Sequence, residues 1–378
     1  MNRIEASYLI ETPFEVEQAC QVMAGEQSCG TFTRLAAETD DFRKRHAARV
    51  ESIELLDSVD APSLPMPTRP QPPGTRYQRA RVRLSWPLEN LGPSLSTLMA
   101  TLAGNLYELK EFSGLRLLDV SLPHAFAEAC PGPQFGIDGT RRLSGVDQGP
   151  LIGTIIKPSV GLSPDATAEV VKELLDGGID FIKDDELQAN GPHCPFTERV
   201  DAIMPLVLEH EQRTGRKVMV AFNITGEIDE MRRHHDHVLA AGGSCVMVAL
   251  NAVGLAGVSH LRRHCELPIH GHRAGWGMFS REPLLGMDFA AWQTFWRLAG
   301  VDHLHVNGLA NKFSESDDSV AASARACLTP LFEPPGPAHT VMPVFSSNQT
   351  ACQAIDTCRA MGGGSDMIVT AGGGNERE

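Results

Sequence analysis

The chain has 378 residues, with 33 Lys and Arg against 47 Asp and Glu, a formal net charge of −14, and 42% hydrophobic residues. A surplus of negative charge excludes nucleic acid and anionic membranes as natural partners, and the length is enough for a large core spread over two domains. No apolar run approaches transmembrane length, no basic-then-apolar leader follows Met1, and the nine cysteines are odd in number and form no C-x-x-C pair. Those features suit reduced thiols in a cytoplasmic protein with no membrane contact, and neither a disulfide framework nor a zinc site.

The first domain is expected over residues 1–130. Arg3–Ile10 alternates as a short strand, Glu15–Ala24 has a helical apolar period, and Arg49–Leu56 alternates again. Six prolines between Pro62 and Pro73 mark a connection, because proline lacks the amide proton that a ladder or a helix needs. Tyr77–Trp86 reads as a strand, Leu95–Leu102 as a helix and Leu115–Leu122 as a last strand. The sum is an α+β sheet domain of the β-α-β-β-α-β, ferredoxin-like kind.

Residues 131–378 have a different texture, of strand-then-helix units. Strands are expected near Leu151–Lys157, Ile179–Lys183, Lys217–Ile224, Cys245–Leu250, Pro268–His272, His303–Val306, Val341–Phe345 and Met367–Thr370. Eight apolar runs separated by helical segments describe a TIM (β/α)8 barrel, so the fold class is α/β with an added α+β domain. Only Asn375–Glu378 follow the glycines at Gly372–Gly374, so the last barrel helix is expected to be missing, with an apolar surface left where it would pack.

The chemistry concentrates between Lys157 and Glu186. Two apolar runs there end abruptly in charge, as K-P-S-V-G-L-S and K-D-D-E, with the helix-like stretch Ala166–Asp176 between them. Side chains alternate along a strand, so Lys183 and Asp185 point the same way while Glu186 sits where the chain turns out of the sheet. The carboxylates of Asp185 and Glu186 are hard oxygen donors suited to Mg2+, which a bare Lys183 ammonium would repel. His272, Arg273 and His305, at two other strand ends, form a polar wall, and Arg273 can fork onto a carboxylate or phosphate.

The run G-x-D-F-x-K-D-D-E, preceded by G-T-I-I-K-P-S-V-G-L-S, resembles the RuBisCO large subunit and the RuBisCO-like proteins. Further landmarks follow in that family's order: G-E-Q-S-C-G-T-F-T at Gly25–Thr33, A-G-N at Ala103–Asn105 and H-G-H-R-A at His270–Ala274. D-H-L-H at Asp302–His305, N-K-F at Asn311–Phe313, V-M-P-V-F-S-S at Val341–Ser347 and G-G-G at Gly372–Gly374 complete the set. The resemblance implies that Lys183 reacts with CO2 to give a carbamate, which joins Asp185 and Glu186 as a ligand of Mg2+. It implies that Lys157 works as acid or base, that Lys312 is the mobile-loop lysine, and that His272 lies in the catalytic wall. Gly372 and Gly373, with Ser346 at the position of a second turn, would face phosphate. Glu26, Thr31 and Asn105 match residues lent by a neighbouring subunit, which makes a homodimer with shared active sites the catalytic unit.

Departures from the carboxylases point to a different reaction. Ser159 replaces a second lysine, Phe32 a tryptophan, Ser346–Asn348 a glycine-rich turn, and Phe313–Ser314 a leucine-glutamate pair. These changes weaken a second phosphate site and the CO2-capturing step, which argues against carboxylation of ribulose bisphosphate. What remains is metal-assisted enolate chemistry on a phosphorylated sugar or sugar acid. A site polar at both ends favours decarboxylation of a β-keto sugar-acid phosphate of the oxo-isoapionate type over a methionine-salvage enolase or isomerase, whose methylthio tail would want apolar contacts. A non-catalytic binding or regulatory protein is the third reading, and the joint presence of Lys157, Lys183, Asp185, Glu186 and Lys312 weighs against it. His234, His235 and His237 are expected on a solvated helix face, and Trp276 and Trp292 in packing.

Overall fold

The structure is a computed structural model that describes residues 2–30, 35–66 and 71–371. Thr31, Phe32, Gly372 and Gly373 lie outside the described residues, as does the stretch after Ala371 where the last barrel helix is expected to be missing. The contacts divide the chain into two units, one of Met1–Cys130 with Gly275–Phe295, the other of Pro131–Ala274 with Trp296–Glu378.

In the first unit β1 (Arg3–Thr12), β2 (Arg49–Val59), β3 (Tyr77–Pro87) and β4 (Gly114–Ser121) form an antiparallel sheet. Strict alternation builds β1: Ile4, Ala6, Tyr8 and Ile10 are all buried, and the residues between them are half-buried. The helix Val16–Glu26 buries Ala19, Cys20 and Met23, and Leu95–Ala103 buries Leu95, Leu98 and Leu102, as their apolar periods require.

The barrel strands are β5 (Leu151–Ile155), β6 (Phe181–Lys183), β7 (Met219–Asn223), β8 (Cys245–Ala249) and β9 (Ile269–His272). The chain then makes β10 (Leu285–Met287), before β11 (His303–His305), β12 (Met342–Gln349) and β13 (Ile368–Ala371) close the barrel. All eight barrel pairings are parallel. β10 instead joins the first unit's sheet beside β4, giving the order β10-β4-β1-β3-β2, a fifth strand that the alternation pattern did not reveal. Gly286 makes it possible: its φ is +90°, and a Cβ there would fall 1.9 Å from the Phe279 carbonyl oxygen.

Strands covered on both faces read as continuous apolar runs, and every residue of β7 and β8 is buried. Inside the barrel Leu151, Phe181, Met219, Ala221, Cys245, Met247, Met342, Val344 and Ile368 form one cluster, contributed by six of the strands. The other two strands place histidines at this level: His270 is in register with Met247, and His303 with both His270 and Met342. Outside the barrel an apolar groove of about 720 Å³ is lined by Ile152, Gly153, Val369, Ile355 and Cys358, among others.

Candidate active site

Charged side chains gather at the carboxyl ends of β5 and β6, the end of a parallel barrel where reactive groups collect. Lys183 is the last residue of β6 and is completely buried; its Nζ donates to the Asp184 carbonyl at 2.8 Å and lies 3.8 Å from Glu186 Oε2. Burial strips water from the ammonium and outweighs the neighbouring carboxylates, so the Lys183 pKa falls from 10.5 to about 8. The buried lysine is accordingly ready to lose its proton.

Asp185 is buried as well. Its Oδ2 accepts from Lys157 Nζ at 2.6 Å and its Oδ1 from Leu187 N at 3.0 Å. Burial pushes this carboxyl up, but the bonds from Lys157 and Leu187 prevail and the net shift is downward, so Asp185 is an anion. Lys157 Nζ also donates to Ser159 Oγ at 2.9 Å, at the position where the carboxylases have a lysine. Glu186 is half-buried, with Oε2 3.5 Å from His272 Nε2. His272 Nδ1 accepts the Ala274 amide at 3.2 Å, so the ring proton sits on Nε2 and faces Glu186. Burial first, then the charges of Lys183, Arg273 and Lys157, keep His272 far below its ordinary pKa and neutral.

The turn bearing these groups is held from behind by residues that the sequence reading passed over. Asp184 points the opposite way from Asp185, and its Oδ2 accepts from Arg199 Nη2 at 3.0 Å and from Asn223 N at 2.9 Å. Asn223, the last residue of β7, donates its Nδ2 to the carbonyls of Asp185 and Glu186, both at 3.1 Å. Its place at a strand's carboxyl end is the signal that could have found it. Arg273 is not free to fork onto a ligand with both arms, since its Nη2 is paired with Glu315 Oε2 at 2.6 Å. Asn307 Nδ2 reaches the same oxygen at 3.2 Å, tying the strand ends of β9 and β11 together. Glu315 carries no mark in the sequence beyond lying near Lys312.

His305 and Ser346 are buried and adjacent, Nδ1 to Oγ 3.1 Å, at the ends of β11 and within β12. Lys312 lies on the exposed loop after β11, its Nζ 5.4 Å from the Phe313 ring centre. In the first unit Glu26 is half-buried at the end of its helix, and the exposed Asn105 opens a 3-10 turn. Thr31, Gly372 and Gly373 fall outside the described residues.

The expectation of a solvated histidine face is corrected. His234 and His235 are buried; His234 stacks on the Phe196 ring at 4.1 Å, and His235 Nε2 accepts the Glu266 amide at 3.0 Å. His235, Asp236 and His264 approach closely enough to suggest a cation site. That amide bond, however, leaves the His235 proton on Nδ1, aimed at Asp236 Oδ1 2.9 Å away, where a cation would have to bind. Trp276 and Trp292 are buried packing residues with ring centres 5.1 Å apart.

A family model for the ribulose bisphosphate carboxylase large chain, catalytic domain, matches residues 136–376, and one for its N-terminal domain matches residues 6–126. The chain therefore belongs to the RuBisCO large-chain family, in its non-carboxylating, RuBisCO-like branch. It is 59% identical over 375 residues to a 3-oxo-isoapionate-4-phosphate transcarboxylase/hydrolase of Xanthobacter autotrophicus, covering 99% of this chain and 88% of that one. It is 46% identical to a 3-oxo-isoapionate-4-phosphate decarboxylase of Rhizobium etli, over 98% of this chain and 88% of the relative. Among solved structures, a rubisco-like protein from Burkholderia fungorum superposes with a TM-score of 0.91 at 47% identity, covering 99% of this chain and 89% of that one.

Proposed function

We propose that this chain is a Mg2+-dependent cytoplasmic enzyme that removes the carboxyl group of 3-oxo-isoapionate 4-phosphate through an enolate. The observation that carries this reading is the buried Lys183, its pKa lowered to about 8, beside the carboxylates Asp185 and Glu186. The carboxyl of a 3-oxo acid lies β to a ketone, so the electron pair of the breaking carbon–carbon bond can move onto the ketone oxygen once positive charge is placed there.

The residues fit a magnesium ion. Asp185 and Glu186 bring two hard oxygens, and the neutral Lys183 amine can add CO2 and lose a proton, becoming a carbamate with oxygens of its own. A Mg2+ held by Lys183, Asp185 and Glu186 would supply the positive charge at the ketone oxygen. Lys157, already a hydrogen-bond donor to Asp185, is the acid that returns a proton to the carbon left by CO2. His272 turns its Nε2–H toward Glu186 and holds that carboxylate in place. Arg273, oriented by Glu315, offers charge to an anionic end of the substrate. Lys312, Gly372 and Gly373 take the phosphate, and Glu26, Thr31 and Asn105 are lent by the second subunit of a homodimer. The nine free cysteines support a reducing, cytoplasmic setting.

The relative at 59% identity, a transcarboxylase/hydrolase, favours a second fate for the carboxyl group, its transfer. Carbon-13 NMR of carboxyl-labelled substrate with Mg2+ and bicarbonate separates the two. Label appearing as bicarbonate, with solvent deuterium at the former carboxyl-bearing carbon and loss of both in Lys183→Ala, is the expected result. Label retained in a new carboxylate shows transfer. An unchanged substrate, with turnover of a methylthio-ketose phosphate instead, overturns the reading in favour of an isomerase.

A further inference from the structure

Five side chains form a continuous hydrogen-bonded line from the second unit's first helix, Gly136–Ser144, to the active site. Thr140 Oγ1 is 2.8 Å from His303 Nε2, His303 Nδ1 is 3.3 Å from His270 Nδ1, and His270 Nε2 is 2.7 Å from His305 Nε2. His305 Nδ1 then lies 3.1 Å from Ser346 Oγ. Thr140, His270 and His303 are fully buried and His305 almost so, each away from water that could supply a missing bond. The sequence marks the line as two H-x-H pairs, His270 with His272 and His303 with His305, whose spacing turns both members of a pair to the same side of the strand.

The direction of every bond follows from its far end. Thr140 Oγ1 is also bonded to the Gly136 carbonyl, which only accepts, so the threonine proton is committed there and its oxygen accepts from His303 Nε2–H. A neutral imidazole has one donor and one acceptor nitrogen, so His303 Nδ1 accepts from His270 Nδ1–H. His270 Nε2 accepts from His305 Nε2–H, and His305 Nδ1 accepts from Ser346 O–H. Neutrality is consistent with the surroundings: burial takes His303 down to about 3 and holds His270 and His305 well below their ordinary range. The serine proton is thereby committed inward, and what Ser346 turns to the site is a lone pair.

We infer that Thr140, His303 and His270 are positioning residues that fix His305 as the Nε2–H tautomer, so that the His305–Ser346 end of the site accepts hydrogen bonds and takes a substrate hydroxyl in preference to a phosphate or carboxylate oxygen. Turning the serine proton outward to an anion would strand a buried acceptor on His305, and reversing the whole line would send the Thr140 proton to His303 Nε2 and leave the threonine and Gly136 carbonyl oxygens facing each other with no proton between them. The assignment of a hydroxyl to this end rests on the sugar-acid substrate proposed above; the tautomers do not.

Long-range proton–nitrogen correlation spectra of histidine-labelled protein, taken without substrate, read the tautomers directly. The expected pattern is Nε2–H at His303 and His305 and Nδ1–H at His270. Thr140→Val keeps the shape but removes the terminal acceptor, and is expected to move His305 toward Nδ1–H and raise KM for 3-oxo-isoapionate 4-phosphate about tenfold, the equivalent of one misdirected hydrogen bond. Thr140→Ser is expected to keep both the pattern and KM, which separates acceptor loss from damage to packing. Nδ1–H at His305 in the unaltered protein, or tautomers and KM unchanged in Thr140→Val, overturns the inference. Should Thr140→Val fail to fold, the unaltered protein's spectrum decides alone. The expected tautomers in a protein that leaves the substrate untouched would refute the proposed reaction and spare the line.

Discussion

Lys183 is kept half-neutral near pH 8 because β6 carries it into the barrel with no water around it. The folded pKa lies below the unfolded value of 10.5, so between those two values the unfolded chain holds more protons and stability rises with pH. The contribution is complete above 10.5 and is lost as pH falls through 8. In EDTA and bicarbonate-free buffer, the unfolding free energy of the protein relative to Lys183→Met is expected to climb by up to about 3 kcal/mol from pH 7 to pH 10.5. Denaturant titrations at several pH values measure it; a flat difference would show that the lysine is not desolvated. At this scale the sequence was a good guide to residues that end strands. K-D-D-E and H-G-H-R announce themselves because charge follows an apolar run without a turn between. Glu315 and Arg199 did not, since one sits on a loop and the other on a helix whose polar positions look like any solvated face until the partner, Arg273 or Asp184, is seen in space.

The elements were legible wherever period and length agreed. All eight barrel strands lie within the apolar runs read from the sequence or extend them by a few residues, since a strand covered on both sides must be apolar throughout. β10 escaped because three residues with a central glycine have neither period nor propensity; a neighbour makes it a strand. That neighbour is Arg116 on β4, whose guanidinium donates to the carbonyls of Glu282 at 2.9 Å, Leu285 at 2.7 Å and Met287 at 3.0 Å and pairs with Asp288. Arg116→Met removes these bonds at once, and the amides of Leu285–Asp288 are expected to lose at least about tenfold in hydrogen-exchange protection while those of β7 and β8 keep theirs. Equal loss in both places would mean that Arg116 supports the molecule at large.

For the molecule as a whole, the proposed sharing of sites between subunits is open to a mixing experiment. Asn105→Ala and Lys183→Ala homodimers are each expected to be inactive, one lacking a lent residue and the other the carbamate lysine. Dissociated and reassociated together, they should recover about a quarter of full activity, because half the dimers are then hybrids with one intact site in two. No recovery in a mixture shown to contain hybrids would place Asn105 in its own subunit's site. The excursion through β10 bears on how such a chain comes into being. Neither unit is a continuous stretch of sequence, so on the ribosome the first sheet waits with β4 as an open edge while all of β5 to β9 is synthesised. The order of translation thus leaves the older half of the molecule unfinished until the younger half is more than half made, and a chaperone that shields that edge would act early, long before there is any barrel to protect.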